Sequence, residues 1–224
     1  MDDFRTLTRE EARRFYDRFG AKQDDQGWYE DVAIAALEKK ARFDAAASVV
    51  ELGCGTGRLA AELLDQRLGA HCRYLALDQS ATMCSIAASR LEKFGARVEV
   101  RQSDGAPVLP LSDSAADRVL TTYVLDLLSA ADIATFLADA HRLLSREGLL
   151  CAVGLTPGER GVSRAVTALW SRIHRKNPEK VGGCRPLRLA EHLPAAHWKI
   201  EHREVVVAWG IASEIVIATP QTTG

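Results

Sequence analysis

Apolar and polar positions along this chain fall into two alternating patterns. Short runs such as "AASVVEL" (Ala46–Leu52) are apolar almost throughout, as a strand buried on both faces would be. The next stretch, "GRLAAELLDQRLG", puts Leu59, Leu63 and Leu64 on one face of a helix. The alternation then repeats. "CRYLALD" (Cys72–Asp78), "ARVEVRQSD", "ADRVLTTYV" and "GLLCAVGL" read as further strands. "SATMCSIAASRLEKFG" (Ser80–Gly95) and "ADIATFLADAHRLLS" read as helices, the first with Ser80 as N-cap and Gly95 just past its end. Strands alternating with helices predict a parallel sheet covered on both faces. The end of the chain differs. "WKIEHREVVVAW" and "ASEIVIAT" are two strands with almost nothing between them, which predicts an antiparallel hairpin around Gly210.

Composition narrows the class without changing the fold. The 224 residues suit one domain with a sizeable core, at 47% hydrophobic and 26% charged. A net charge of -1 argues against bulk nucleic-acid affinity. The first residues, "MDDFRTLTRE", have no apolar centre and read as neither a secretory signal nor an anchor. No apolar run approaches the roughly 20 residues of a membrane span. Cys54, Cys72, Cys84, Cys151 and Cys184 are scattered, with no Cys-x-x-Cys pair, so neither a disulfide framework nor a metal site is expected. A reducing, cytoplasmic setting fits. His192, His197 and His202 recur every five residues, which is neither a helix face nor a strand face; they read as surface or loop positions.

Chemistry concentrates in "VVELGCGTGRLA". Gly53, Gly55 and Gly57 follow the first strand directly, at the carboxyl edge where open α/β sheets bind ligands. The helix after them points free N–H groups at the same place. A dinucleotide fingerprint would have glycine where Arg58 stands, and a Walker loop would need a Lys-Ser/Thr pair that is absent. Instead Glu51 precedes the first glycine by two residues. A buried carboxylate there suits an ammonium better than a pyrophosphate. Asp78 ends the second strand, where it can accept from both hydroxyls of a ribose or cap the next helix. Asp104 ends the third, where it can accept from an adenine amine or make a Ser-Asp-Gly turn. Three acids around a glycine loop describe a site for a ribonucleoside that carries an amine and no phosphate.

With these residues in hand, the chain resembles the class I S-adenosylmethionine-dependent methyltransferases. "VVELGCGTGRLA", "YLALDQSATM", "VEVRQSDGAPVLPLSDSAADRVLTTYVLDLLS" and "HRLLSREGLLCAVGL" carry the resemblance, in the family's order, over roughly residues 48–155. It implies an α/β, Rossmann-like, doubly wound seven-stranded mixed sheet with a reversed final strand. It implies S-adenosyl-L-methionine as cofactor and S-adenosyl-L-homocysteine as product. Glu51, Gly53, Cys54 and Gly55 would border the methionine part, Asp78 and Gln79 the ribose, Met83 the adenine face, and Ser103, Asp104 and Gly105 the adenine edge. Thr122 and Tyr123 would sit near the sulfonium. The expected layout is one domain over 1–224, with a helical cap (1–45), a cofactor core (46–155) and a substrate-side segment with the closing hairpin (156–224).

"FYDRFGAKQDDQGWYED" also resembles the cap of quinone and phospholipid N-methyltransferases, from which Tyr16, or secondly Tyr29, would reach the cofactor or substrate. Asp126 stands where many small-molecule members have histidine. If the acceptor carries a proton, Tyr123 and Asp126 are the candidate groups nearest the methyl; a structural Asp126 in the turn before the helix fits equally. Over residues 156–188, the helix "GVSRAVTALWSRIHRK" has an apolar face centred on Trp170, and arginines and lysines outnumber acids. As a solvated basic face this is scaffold. As the roof of an acceptor pocket it predicts an aromatic, lipid-like or anionic small molecule, with Arg185 gripping an anionic group. A NAD-dependent oxidoreductase and a non-catalytic cofactor-binding module are the alternative functions.

Overall fold

The computed structural model describes residues 5–221. The outermost four residues of the expected cap and the last three of the closing segment lie outside them. Seven strands form one sheet: β1 (Ser48–Leu52), β2 (Arg73–Asp78), β3 (Val98–Gln102), β4 (Ala116–Thr122), β5 (Leu144–Leu155), β6 (Trp198–Ala208) and β7 (Ile211–Pro220). Their order across the sheet is β3-β2-β1-β4-β5-β7-β6. The first five are parallel, and β7 runs antiparallel between β5 and β6. The expected hairpin is present. Trp209 and Gly210 form its two-residue turn, both at positive φ (54° and 84°), as the primed turns of tight hairpins require.

Six α-helices flank the sheet: α1 (Arg9–Phe19), α2 (Gly27–Glu38), α3 (Arg58–Gln66), α4 (Ala81–Leu91), α5 (Ala130–Leu143) and α6 (Gly161–Lys176). Alternate strand residues feed two cores. Val49 joins the core under α2, α3 and α4, and Val50 and Leu52 join the core under α5, the period of two expected of a strand covered on both sides. The helix caps follow the sequence: Ser80 accepts from the Met83 N–H, Ser129 from Asp132, and Thr8 with Glu11 makes a capping box at α1. One expected boundary moves. The last helix residues before β5 were assigned through Ser145, but Leu144 already pairs with Ala116 of β4, so β5 starts four residues earlier than its apolar run.

The link from α2 into β1 is fixed by a buried cation. Arg118 of β4 is 4% exposed and donates to the carbonyls of Ala41, Arg42 and Asp117. The Asp117 carboxylate accepts from the backbone N–H groups of Ala47 and Ser48. This pair sets where β1 begins and where α2 stops. Arg118→Met keeps the stem and removes the guanidinium donor from the Ala41 carbonyl and from the Arg42 carbonyl, which keeps only the Ala45 N–H. It should cost about 1.5–3 kcal/mol, read as a lower urea midpoint at unchanged slope.

Candidate functional site

The site is built at the carboxyl ends of β1, β2 and β4. Leaving β1, the chain bends at Gly53 (φ 77°), Gly55 (φ 52°) and Gly57 (φ 73°), conformations that only glycine adopts at little cost. The N–H groups of Gly53 and Cys54 donate to Leu77 O at 2.7 and 2.9 Å, which ties the loop to β2. A Cβ on Gly53 would meet the Val124 side chain at 2.2 Å. The loop can therefore take this course only with glycine there.

Asp78 holds the loop from below. One carboxylate oxygen accepts from Gly55 N at 3.0 Å and the other from Ser80 N at 2.8 Å. Ser80 in turn donates to Asp17 of α1 at 2.6 Å. A second link crosses the same gap: Asp24, just after α1, pairs with Arg90 of α4 and accepts from Thr56. Together they seat α1 and the short 3-10 turn after it (Gly20–Gln26) over the glycine loop. Tyr16 of α1 donates to Gly182 O at 3.2 Å, which ties the same helix to the segment after α6.

These parts enclose one cavity. Of the residues expected from sequence, Tyr16, Glu51, Gly53, Cys54, Gly55, Asp78, Gln79, Met83, Ser103, Gly105, Thr122 and Tyr123 all line it. Asp104 is not among the lining residues; it is exposed and accepts from Ala106 N at 2.8 Å, the turn role. Tyr123 is held at φ 56°, an uncommon conformation for a bulky residue and a mark of local strain. Its hydroxyl bonds Ser213 of β7 at 2.9 Å.

Four other expected positions lie away from the cavity wall. Asp126 is fully buried behind it, accepting from Leu155 N at 3.2 Å. Burial pushes its carboxyl up to about 6. Arg185 is 2% exposed and donates through its backbone and its guanidinium to the Asp126 carbonyl. A polar group so enclosed has no open face for an anionic acceptor. Trp170 is half-buried and donates to Cys184 O at 2.8 Å, while Val162 and Leu169 of the same helix are exposed. The α6 face therefore bridges to the following loop and does not roof the cavity. Tyr29 packs edge-on against Tyr123, centroids 5.8 Å apart, behind the wall.

The cavity also holds residues that the sequence reading passed over. Glu30 of α2 is the most consequential. It is 6% exposed and lines the cavity, with the Tyr29 hydroxyl donating to it at 3.1 Å. Burial pushes its carboxyl up to about 7, against the lowering effect of that hydrogen bond. A signal was available. Glu30 shares a helix face with Ala33, Ile34 and Leu37, all buried, so an acid occupies an apolar stripe at i, i+3, i+4, i+7. Glu51 is in the same condition: 1% exposed, accepting from Tyr74 Oη at 2.7 Å, and raised by burial to about 7.

Comparison with known proteins agrees with this geometry. Residues 49–148 match the family model described as "Methyltransferase domain". Among curated proteins, none matches the sequence. Among solved structures, the chain is similar to the [4+2]-cyclase SpnF (TM-score 0.71, 16% identity, covering 97% of this chain and 98% of that one). It is similar to a chain of the complex between the Haloferax volcanii Trm112 methyltransferase activator and a methyltransferase (TM-score 0.73, 13% identity, 95% and 99% covered). It is also similar to the chain of the DhpI-SAH complex (TM-score 0.61, 18% identity, 95% and 96% covered). At these identities the structural likeness speaks for the fold.

The buried acids make stability depend on pH. Glu30 has a folded pKa of about 7, above the ordinary value for glutamate of about 4.3. Between those values the folded state binds more protons than the unfolded one. The contribution of Glu30 to stability is therefore full below the unfolded value and is lost as pH rises through the folded one. Glu30→Gln removes the charge and keeps an acceptor for Tyr29. It should raise the melting temperature at about pH 8 and change it much less at about pH 5, by calorimetry at both.

Proposed function

We propose that this chain, whose residues 49–148 match a methyltransferase-domain model, is a class I S-adenosylmethionine-dependent enzyme that methylates a small molecule by in-line transfer. The observation that carries the reading is convergence. A glycine loop, the buried carboxylate of Glu51, the half-buried carboxylate of Asp78, Ser103 and Gly105 all line one cavity. That donor set fits a nucleoside with an ammonium and no phosphate: it offers carboxylates where a phosphate would need cations.

When bound, S-adenosylmethionine would supply the chemistry: a sulfonium methyl that needs no metal and no activation. The chain's own residues would do the rest. Glu51 would accept from the ammonium, and Asp78, already oriented by Gly55 and Ser80, would accept from the ribose. Gln79, Met83, Ser103 and Gly105 would surround the base. Thr122 and Tyr123 would border the reacting end. The α1 helix would keep water out and hold the acceptor in line, which is where most of the acceleration is gained. Under this reading residues 1–45 form a cap over a core of 46–155. Among the described residues no helix is long and apolar enough to cross a membrane.

The [4+2]-cyclase SpnF shares this fold, so product analysis belongs in the test. The reading requires transfer of label from [methyl-³H]-S-adenosylmethionine to an acceptor. Binding without transfer over a broad acceptor screen would favour a non-methylating role. Asp78→Ala should weaken S-adenosylhomocysteine binding at least tenfold by calorimetry, with an unchanged circular dichroism spectrum. Loss of hydrogen bonds to a charged acceptor is worth about 1.5–3 kcal/mol. Equal affinity in the variant would remove Asp78 from the ribose site.

A further inference from the structure

The cavity is strongly biased in charge. Asp24, Glu30, Glu51, Asp78 and Asp132 line it, against Arg9 and Arg58. Most of these are already matched. Asp24 pairs with Arg90, Asp132 with Arg9, and Arg58 with Asp31 at 2.7 Å. Glu30, Glu51 and Asp78 have no ion-pair partner within 4.0 Å among the described residues. Asp78 is served by two backbone N–H groups and belongs to the ribose in the reading above. Glu51, at the foot of the glycine loop, belongs to the amino-acid ammonium. Glu30 is left over. It enters from a different element, α2, beside Tyr123 at the reacting end, and the nucleoside reading gives it no task.

We propose that Glu30 is the counter-ion and proton acceptor for an amine, and that the methyl acceptor is a small primary or secondary amine with an apolar body. The inference rests on the methyltransferase reading and adds the acceptor class to it. A buried carboxylate aimed into a cavity requires a donor or a cation to be favourable. An alkylammonium supplies both, through a charge-assisted hydrogen bond. Ile34, Leu59 and Tyr123 line the same cavity, and such side chains suit a hydrocarbon or aromatic body. An anionic acceptor would instead face a net negative lining.

The groups around Glu30 are consistent with proton transfer. Tyr29 donates to it directly; the charged and titratable groups whose fields reach it are Asp31 on α2, Arg58 on α3, Tyr123 and Asp126 on the β4–α5 connection, and Cys184 in the loop after α6. Burial holds its carboxyl at about 7, a good match for a proton acceptor working near neutral pH. The balance is simple. The ammonium gives one proton to the Glu30 carboxylate and becomes a neutral amine. The nitrogen lone pair forms the bond to the methyl carbon as the carbon–sulfur bond breaks, its electron pair going to sulfur. The product is a methylated ammonium and a neutral thioether, and the proton on Glu30 passes to solvent as the product leaves.

The test uses three probes of one shape: phenethylamine, phenethyl alcohol and hydrocinnamate. Each is titrated by calorimetry into wild type and Glu30→Gln, both saturated with S-adenosylhomocysteine, with pH stepped from about 6 to 8.5. Wild type should bind phenethylamine at least tenfold tighter than either other probe. Its affinity should rise as pH passes about 7 and Glu30 ionises, while the amine stays protonated up to about 10. Glu30→Gln should lose the preference and the pH dependence, and keep its affinity for S-adenosylhomocysteine within about twofold. Glu30→Asp should recover part of the preference. Equal binding of the three probes, or an amine preference that persists in Glu30→Gln, overturns the proposal. So does a tenfold loss of S-adenosylhomocysteine affinity in the variant, which would return Glu30 to the nucleoside. Failure of wild type to bind S-adenosylhomocysteine at all would instead overturn the methyltransferase reading beneath it.

Discussion

The two oxygens of Asp78 organise the working end of this molecule. One fixes Gly55, the other the start of α4 at Ser80. Through Ser80 the same chain of bonds reaches Asp17 and seats α1. Parallel strands leave their last carbonyls and the next helix's first N–H groups side by side at one edge of the sheet. Those groups must find partners once α1 covers them. A carboxylate at the end of β2 meets that demand without closing the space, because it is short and accepts on several sides. The cavity is open because its polar rim is held by acids and glycine, with no bulky side chain filling it.

Much of this was readable before any coordinates. The strand–helix alternation, the terminal hairpin and the helix cap at Ser80 rest on local rules of period, capping and turn chemistry, and each appears where those rules place it. The strand-end positions were readable for the same reason: once a strand is fixed, its last residue and the loop after it have only one place to go. What the sequence left open between two readings was the assignment of partners. Arg185 looks like an anion-binding residue by type and by its glycine-rich neighbourhood, yet its guanidinium serves the Asp126 carbonyl. Trp170 looks like a pocket roof by its helical face, yet its indole meets Cys184 O. Asp104 looks like a base-edge acceptor, yet it closes its own turn. In each case an inward-looking backbone carbonyl or N–H competes for the side chain, and sequence does not display where those groups point.

Glu30 shows the opposite error. "GWYED" reads only as part of a helical cap, with Tyr29 singled out and Glu30 passed over. In the structure it is the first part of α2, and only Asp31 and its neighbours on the outer side face water. The acid falls on the buried stripe because the apolar residues that define the stripe, Ala33, Ile34 and Leu37, come after it. Period alone would have placed it there, given a helix start at Gly27. The short 3-10 segment before α2 hides that start, since it has no capping side chain to announce it.

Glu30 and Glu51 then raise one physical question. A fold gains little in stability from two enclosed carboxylates with no ion-pair partner within 4.0 Å, and among the described residues the hydrogen bond each accepts comes from a tyrosine hydroxyl. A purely structural solution would put glutamine or an apolar residue at both positions. The pairing of each acid with a tyrosine is informative. A hydroxyl donor lowers the cost of the charge without neutralising it, whereas an arginine in the same place would satisfy the acid and leave nothing for a ligand. The two acids enter from different elements, Glu51 from β1 and Glu30 from α2, so their charges stand on separate walls of one cavity. A single small cation would satisfy one and leave the other. Satisfying both takes two cationic groups bound together, and an amino-acid ammonium beside an amine acceptor is such a pair. The destabilisation stored in the empty cavity and the preference for its ligands are thus the same electrostatic free energy, seen before and after binding.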